Sequence, residues 1–142
     1  MEEVKNYTDI EQGKLLKDIF PIDTADMCYL NLSNHGVDCA DEFKATMTPY
    51  TECVKLSKSL FGKAFDDIVP AWSLAKLIKL LPNYLKDSCG LVYQLRMDKD
   101  YVEYSNDNIS GLYSIYIHTT GEDNLVDACV HMIKKLKEEK LM

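Results

Sequence analysis

Between residues 91 and 118 the apolar residues of this chain recur at every second position, whereas in the blocks on either side they recur at every third or fourth. A period of two belongs to a strand with one face against a core, and a period near 3.6 to an amphipathic helix. A chain that carries both, in separate blocks, is expected to form an α+β domain with helices laid over one face of a small antiparallel sheet.

The strands read as follows. Leu91, Tyr93, Leu95 and Met97 alternate with Gln94 and Arg96, and Asp98-Lys99-Asp100 turns the chain. Tyr101 to Tyr104 is a second strand, Asn106-Asp107-Asn108 with Gly111 a second turn, and Leu112 to His118 a third strand. This predicts a three-stranded meander over about 91–118, which the blurred strand 27–32 could extend. In the third strand, strict alternation sends Tyr113, Ile115 and Ile117 inward and Ser114, Tyr116 and His118 outward. Outward tyrosine on a sheet favours protein contact, so Tyr116, Ser114 and His118 form the candidate interaction surface. The competing reading takes these tyrosines as ordinary β-formers on a half-buried sheet.

Two helices are expected to cover the sheet. Pro70 and Pro82 bracket the first, where Leu74, Leu77, Ile78 and Leu81 fall on one face behind a Ser73 N-cap. Pro82 cannot continue the ladder, so the helix occupies 73–81 and is too short to stand undocked. The second spans 124–138. Asn124 is its N-cap, Leu125, Cys129, Met132, Ile133 and Leu136 its apolar stripe, and Lys134, Lys135 and Lys137 complement its negative end. The predicted core is Trp72, Leu74, Leu77, Ile78, Leu81, Cys129, Met132, Ile133 and Leu136. Earlier in the chain, Thr8-Asp9-Ile10-Glu11 matches a capping box and predicts a helix over about 9–19. Asp23-Thr24-Ala25-Asp26 reads as a turn, as does Ser33-Asn34-His35-Gly36. Phe43 to Met47 could pair with 27–32, and Thr51 to Phe65 suggests an irregular helix broken near Gly62.

The 142 residues fit one domain, 1–142, with a real hydrophobic core. No apolar run approaches the ~18 residues of a membrane span, and the opening Met-Glu-Glu-Val-Lys-Asn-Tyr does not read as a signal peptide. The expected location is the cytoplasm, with no membrane partner. Five cysteines, odd in number and scattered, fit that setting: free buried thiols are expected rather than disulfides or a zinc site. The net charge of −7 is uneven, with two basic against eight acidic residues over 87–127 and six against two over 54–86. An acidic majority repels phosphate and disfavours nucleic-acid binding, although an acidic surface could imitate nucleic acid.

No phosphate-binding glycine loop, zinc-protease helix or nucleophile elbow is present. Asp98-Lys99-Asp100 and Asn106-Asp107-Asn108 resemble the start of a calcium loop, but position twelve is Ile109 or Ile117 where a bidentate Glu belongs. His35-x-x-Asp38-Cys39 lacks a second ligand cluster. A Cys129–His118 nucleophile pair is the remaining catalytic alternative. No catalytic, cofactor-binding or metal residue is assigned.

Four segments together carry a resemblance. They are Gln12-Gly13-Lys14-Leu15-Leu16 with Asp23-Thr24-Ala25-Asp26-Met27; Pro70-Ala71-Trp72-Ser73-Leu74; Leu80-Leu81-Pro82; and Asn124-Leu125-Val126-Asp127-Ala128-Cys129 with Met132-Ile133. In this order and spacing the chain resembles a family of small uncharacterised proteins frequent in phage-derived and mobile regions of gut anaerobic bacteria. The family has no established activity, so the resemblance implies a shared fold and a genomic setting, and carries no site residues. Gly13 stands where family members often have Ser, which implies a looser first helix. The resulting expectation is a non-enzymatic accessory protein of phage or prophage origin that binds an unidentified protein and is compatible with oligomerisation. The alternatives are a small enzyme with a site built from scattered polar residues and, third, a nucleic-acid-binding or nucleic-acid-mimicking protein.

Overall fold

The computed structural model describes residues 5–30, 44–61, 68–107, 113–119 and 122–142. The elements are of mixed α and β type, with two antiparallel sheets. The chain divides into two compact units, one of residues Tyr7–Lys76 and the other of Met1–Asn6 with Leu77–Met142. The predicted features at Ser33–Gly36, Asp38, Cys39 and Gly62 lie outside the described residues.

The Tyr7–Lys76 unit begins with α1, Ile10–Lys17. Its capping box falls one residue later than the sequence suggested: Asp9 accepts from the Gln12 amide at 2.8 Å, and Gln12 returns the bond to the Asp9 amide at 3.0 Å. Thr8 is displaced from that role because it is buried and tied to Trp72, its amide donating to the Trp72 carbonyl and its hydroxyl accepting from the Trp72 amide. After a 3-10 turn at Ile22–Thr24 come β1 (Met27–Leu30), β2 (Lys44–Thr46), α2 (Tyr50–Phe61) and β3 (Val69–Ala71). The sheet order is β2-β1-β3, with Tyr29 opposite Ala45 on one side and Val69 on the other. The 27–32 segment therefore does not extend the meander; it is the centre of a separate sheet. α1 packs on β3, and Gly13 makes that approach possible, since a Cβ there would lie 2.2 Å from the Pro70 carbonyl oxygen. Gly13 is a packing requirement rather than a loosening.

Trp72 is fully buried, donates from its indole to Thr24 at 3.0 Å and packs beside Phe20. Asp26 accepts from both the amide and the hydroxyl of Ser73. Ser73 in turn accepts from the Lys76 amide, capping α3 at Leu74–Leu80. Two of the segments that carried the resemblance, Asp23–Met27 and Pro70–Leu74, thus meet through specific hydrogen bonds.

The thiols are not all free, as the sequence had suggested they would be. Cys28 of β1 and Cys53 of α2 are joined in a disulfide within a small core that includes Ile68, Tyr50 and Val54. Their separation of 25 residues gave no sign of this, because a strand and a helix brought them together. Cys89 and Cys129 are free.

The other unit holds β4 (Tyr84–Lys86), β5 (Val92–Asp98), β6 (Tyr101–Asp107), β7 (Tyr113–His118) and α4 (Leu125–Glu138). The strands follow one another in order, all antiparallel, and α4 packs on β6. Val102 and Tyr104 are buried on that side, with Cys129, Met132, Ile133 and Leu136 of α4, and with Leu77 and Leu81 in the same unit. Asn124 caps α4 by accepting from the Asp127 amide. Leu74 and Ile78 are only half-buried, against the expected core: in so short a helix the fully buried line is Leu77 and, just past its end, Leu81. β4 is an additional strand, joined to β5 by a loop in which Asp87 accepts the Cys89 and Leu91 amides and Gly90 takes a φ of 83°.

Candidate functional site

Side chains alternate across β6, so Val102, Tyr104 and Asn106 share the α4 side while Glu103, Ser105 and Asp107 point the other way. The register carries this second face across the sheet. Tyr84 lies opposite Gln94, Gln94 opposite Ser105, and Ser105 opposite Ile115; Arg96 lies opposite Glu103, and Glu103 opposite His118. Tyr84 is 55% exposed, and Tyr113 and Ile115 are each 49% exposed.

In the middle of this face Glu103 and Arg96 find polar partners, while the buried Ser105 hydroxyl has none among the described residues. Glu103 is buried, and the Tyr113 hydroxyl donates to its carboxylate. That bond, made to a carboxylate, pushes the Tyr113 pKa up. Arg96 reaches Asp107 at 3.2 Å with its guanidinium 5.7 Å over the Tyr113 ring, a cation–π arrangement, and its pKa is raised chiefly by the bond to Asp107. Tyr113 is therefore fixed in place by its hydroxyl and covered by Arg96, with part of its ring left open to solvent.

The alternation expected for β7 fails at one point. A β-bulge at Tyr104/Ser105 places Ile117 opposite Tyr104 but Ile115 opposite Ser105, leaving Tyr116 as the extra residue. Tyr113 and Ile115 therefore face away from α4 instead of inward. Ser114, opposite Asn106, and His118, opposite Glu103, lie on different faces, so Tyr116, Ser114 and His118 do not make one surface. Tyr116 is 39% exposed and stacks on Tyr93, ring centroids 4.8 Å apart. Nothing in a run of alternating β-formers announces a bulge. The Arg96–Glu103 register could not be counted outward from Asp98-Lys99-Asp100, which would set Arg96 against Val102: the turn is only Lys99-Asp100, with Asp98 opposite Tyr101. Tyr84 was missed because a three-residue strand is too short to show a period.

The catalytic alternative meets a physical obstacle. Cys129 is fully buried, and burial pushes its thiol up to about 12, the reverse of what activates a nucleophile. His118 is exposed at the end of β7, and His131 meets the Glu122 carboxylate near the start of α4. Among the described residues no group of three His, Cys, Asp or Glu side chains could hold a metal ion, and no helix is long and apolar enough to cross a membrane. What the sheet face offers is aromatic and aliphatic contact area around an ordered polar centre. No family model matches this chain, and no curated protein or solved structure is detectably similar to it.

Proposed function

We propose that this chain is an accessory protein of phage or prophage origin, without enzymatic activity of its own, that binds another protein through its four-stranded sheet. One observation carries the binding: Tyr84, Tyr113, Ile115 and Arg96 are placed together on a hydrogen-bonded sheet face. Tyrosine and arginine are the residue types in which interface energy concentrates, and a side chain already held in place loses little freedom on binding. The phage setting rests on the four-segment resemblance alone. The cytoplasmic location expected from the sequence is opposed by the Cys28–Cys53 bond, because thiols in that compartment are normally kept reduced.

Affinity capture from a host lysate, run in parallel with the wild type and a Tyr84→Ala/Ile115→Ala variant, tests the face. Both side chains are about half exposed, so the variant should keep its thermal midpoint while recovering about tenfold less of the specific partner. Equal recovery of every protein by both would remove the sheet face as the interface.

A further inference from the structure

The two edges of the four-stranded sheet differ in how they are guarded. β4 is three residues long, follows Pro82 closely and ends on Lys86, all features that discourage another strand from pairing there. β7 is six residues long and contains no Lys, Arg, Asp, Glu or Pro. Among the described residues its edge is closed at one point. The Thr119 amide donates to the Val102 carbonyl, so by alternation the neighbouring His118 carbonyl points away from β6, and there Lys135 donates to it at 2.8 Å. Among the described residues no strand pairs with the outer side of β7.

We propose that the open edge of β7 receives an extended segment of a partner protein as a fifth strand, and that this segment carries Lys or Arg beside its apolar residues. This deepens, and rests on, the reading of the chain as a protein-binding module. Main-chain hydrogen bonds supply affinity in strand addition, and side chains on alternating faces supply selection. β7 offers contacts on both sides: Tyr113 and Ile115 on the face away from α4, and Tyr116, stacked on Tyr93, on the other. Charge selects the occupant. Residues 87–127 hold two basic against eight acidic side chains. Asp107, held by Arg96, lies opposite the first residue of β7, and Glu122, which meets His131, and Asp123 follow soon after its last; with Glu103 these four carboxylates outnumber the Arg96 and Lys135 cations around the strand. A second copy of this chain would bring −7 against −7. The bulge also twists the edge, which suits a short added strand better than a long flat pairing with another β7.

The test begins with a displayed library of random dodecapeptides selected on the wild-type protein. Enriched peptides should alternate apolar residues and carry Lys or Arg, and their binding should weaken as salt is raised. A synthetic lead, N-methylated at every second amide, should lose about tenfold or more in affinity in one phase and far less in the other, because only one set of amides faces the β7 edge. Ile115→Lys, at an exposed position, should weaken the unmethylated lead by a similar factor. N-methylation without effect, together with loss of binding in Tyr84→Ala, would overturn strand addition and leave the sheet-face interface standing. Enrichment of acidic peptides would overturn the charge assignment. A concentration-dependent dimer abolished by Ile115→Lys would make a second copy the occupant and overturn the basic partner. No enrichment over an unrelated control protein would overturn the edge proposal, while the capture comparison separately decides the face.

Discussion

In the β4–β7 sheet each strand pairs with the one next to it in the chain, whereas the β2-β1-β3 sheet is closed by segments far apart in sequence. The hydrogen bonds that fasten Trp72 and Ser73 in the second case span 64, 48 and 47 residues. A sheet of neighbours draws its order from repeated local pairing and one helix laid across it. A sheet of distant segments depends on a few fits that must all be made together. The two units are therefore fragile in different ways: the first should tolerate single losses that the second cannot.

The strongest challenge to that comparison is Trp72→Ala. The ring is fully buried, lies against Phe20 and donates to Thr24, so its removal leaves a cavity and takes away one of the two hydrogen bonds of the Thr24 hydroxyl. The expected cost is ~3–5 kcal/mol. Against a typical total of ~5–15 kcal/mol, that loss should shift the urea midpoint far to the low side. Far-UV circular dichroism should read it, since the variant lacks the chain's single tryptophan. A wild-type midpoint would mean that the Tyr7–Lys76 unit is not organised around residue 72.

Gly13→Ala sharpens the same point through its sign. Alanine is the better helix former by ~1 kcal/mol, so α1 alone would be stabilised. The new Cβ, however, meets the Pro70 backbone at 2.2 Å, and backbone cannot rotate away. A net destabilisation of ~1–3 kcal/mol is expected. If thermal unfolding shows a gain, α1 and β3 are not in the close approach described.

The same contrast explains what was legible in the sequence. The meander, α4 and its Asn124 cap follow from period and local chemistry, so they could be read from residues within a few positions of one another. The pairing of 44–46 with 27–30 also follows from two neighbouring strand patterns. The roles of Thr8, Thr24, Asp26 and Gly13 could not be read, because each is defined by a residue more than forty positions away. Thr8 looked like a helix cap by its local pattern, and a tertiary contact with Trp72 took it. Cys28 and Cys53 were invisible as a pair for the same reason. On the candidate face, one extra residue in β7 was enough to reverse Tyr113 and separate Ser114 from His118. Period shows that a strand exists; it does not show where its register slips.

The smallest expected effect lies in the sheet of neighbours, at the β4–β5 loop. Asp87 accepts the Leu91 and Cys89 amides at 2.9 Å each and the Tyr93 hydroxyl at 3.0 Å. These bonds, the Leu91 amide first, favour the ionised carboxylate and hold its pKa below the ordinary 3.8. The unfolded chain therefore binds the proton more readily than the folded one. The stabilisation is fully present above that ordinary value and is lost as pH falls through the lower folded value. Asp87→Ala should lower the thermal midpoint slightly at neutral pH, and the gap to the wild type should close as the solution is acidified below the ordinary carboxylate range. The loop is exposed, so the whole effect should be far smaller than that of Trp72→Ala. A gap that stays constant down to strong acid would mean that the carboxylate's charge contributes nothing, leaving Gly90 and the strand pairing to hold the turn. A gap as large as that of Trp72→Ala would break the comparison itself, because a single local loop would then matter as much as a long-range closure.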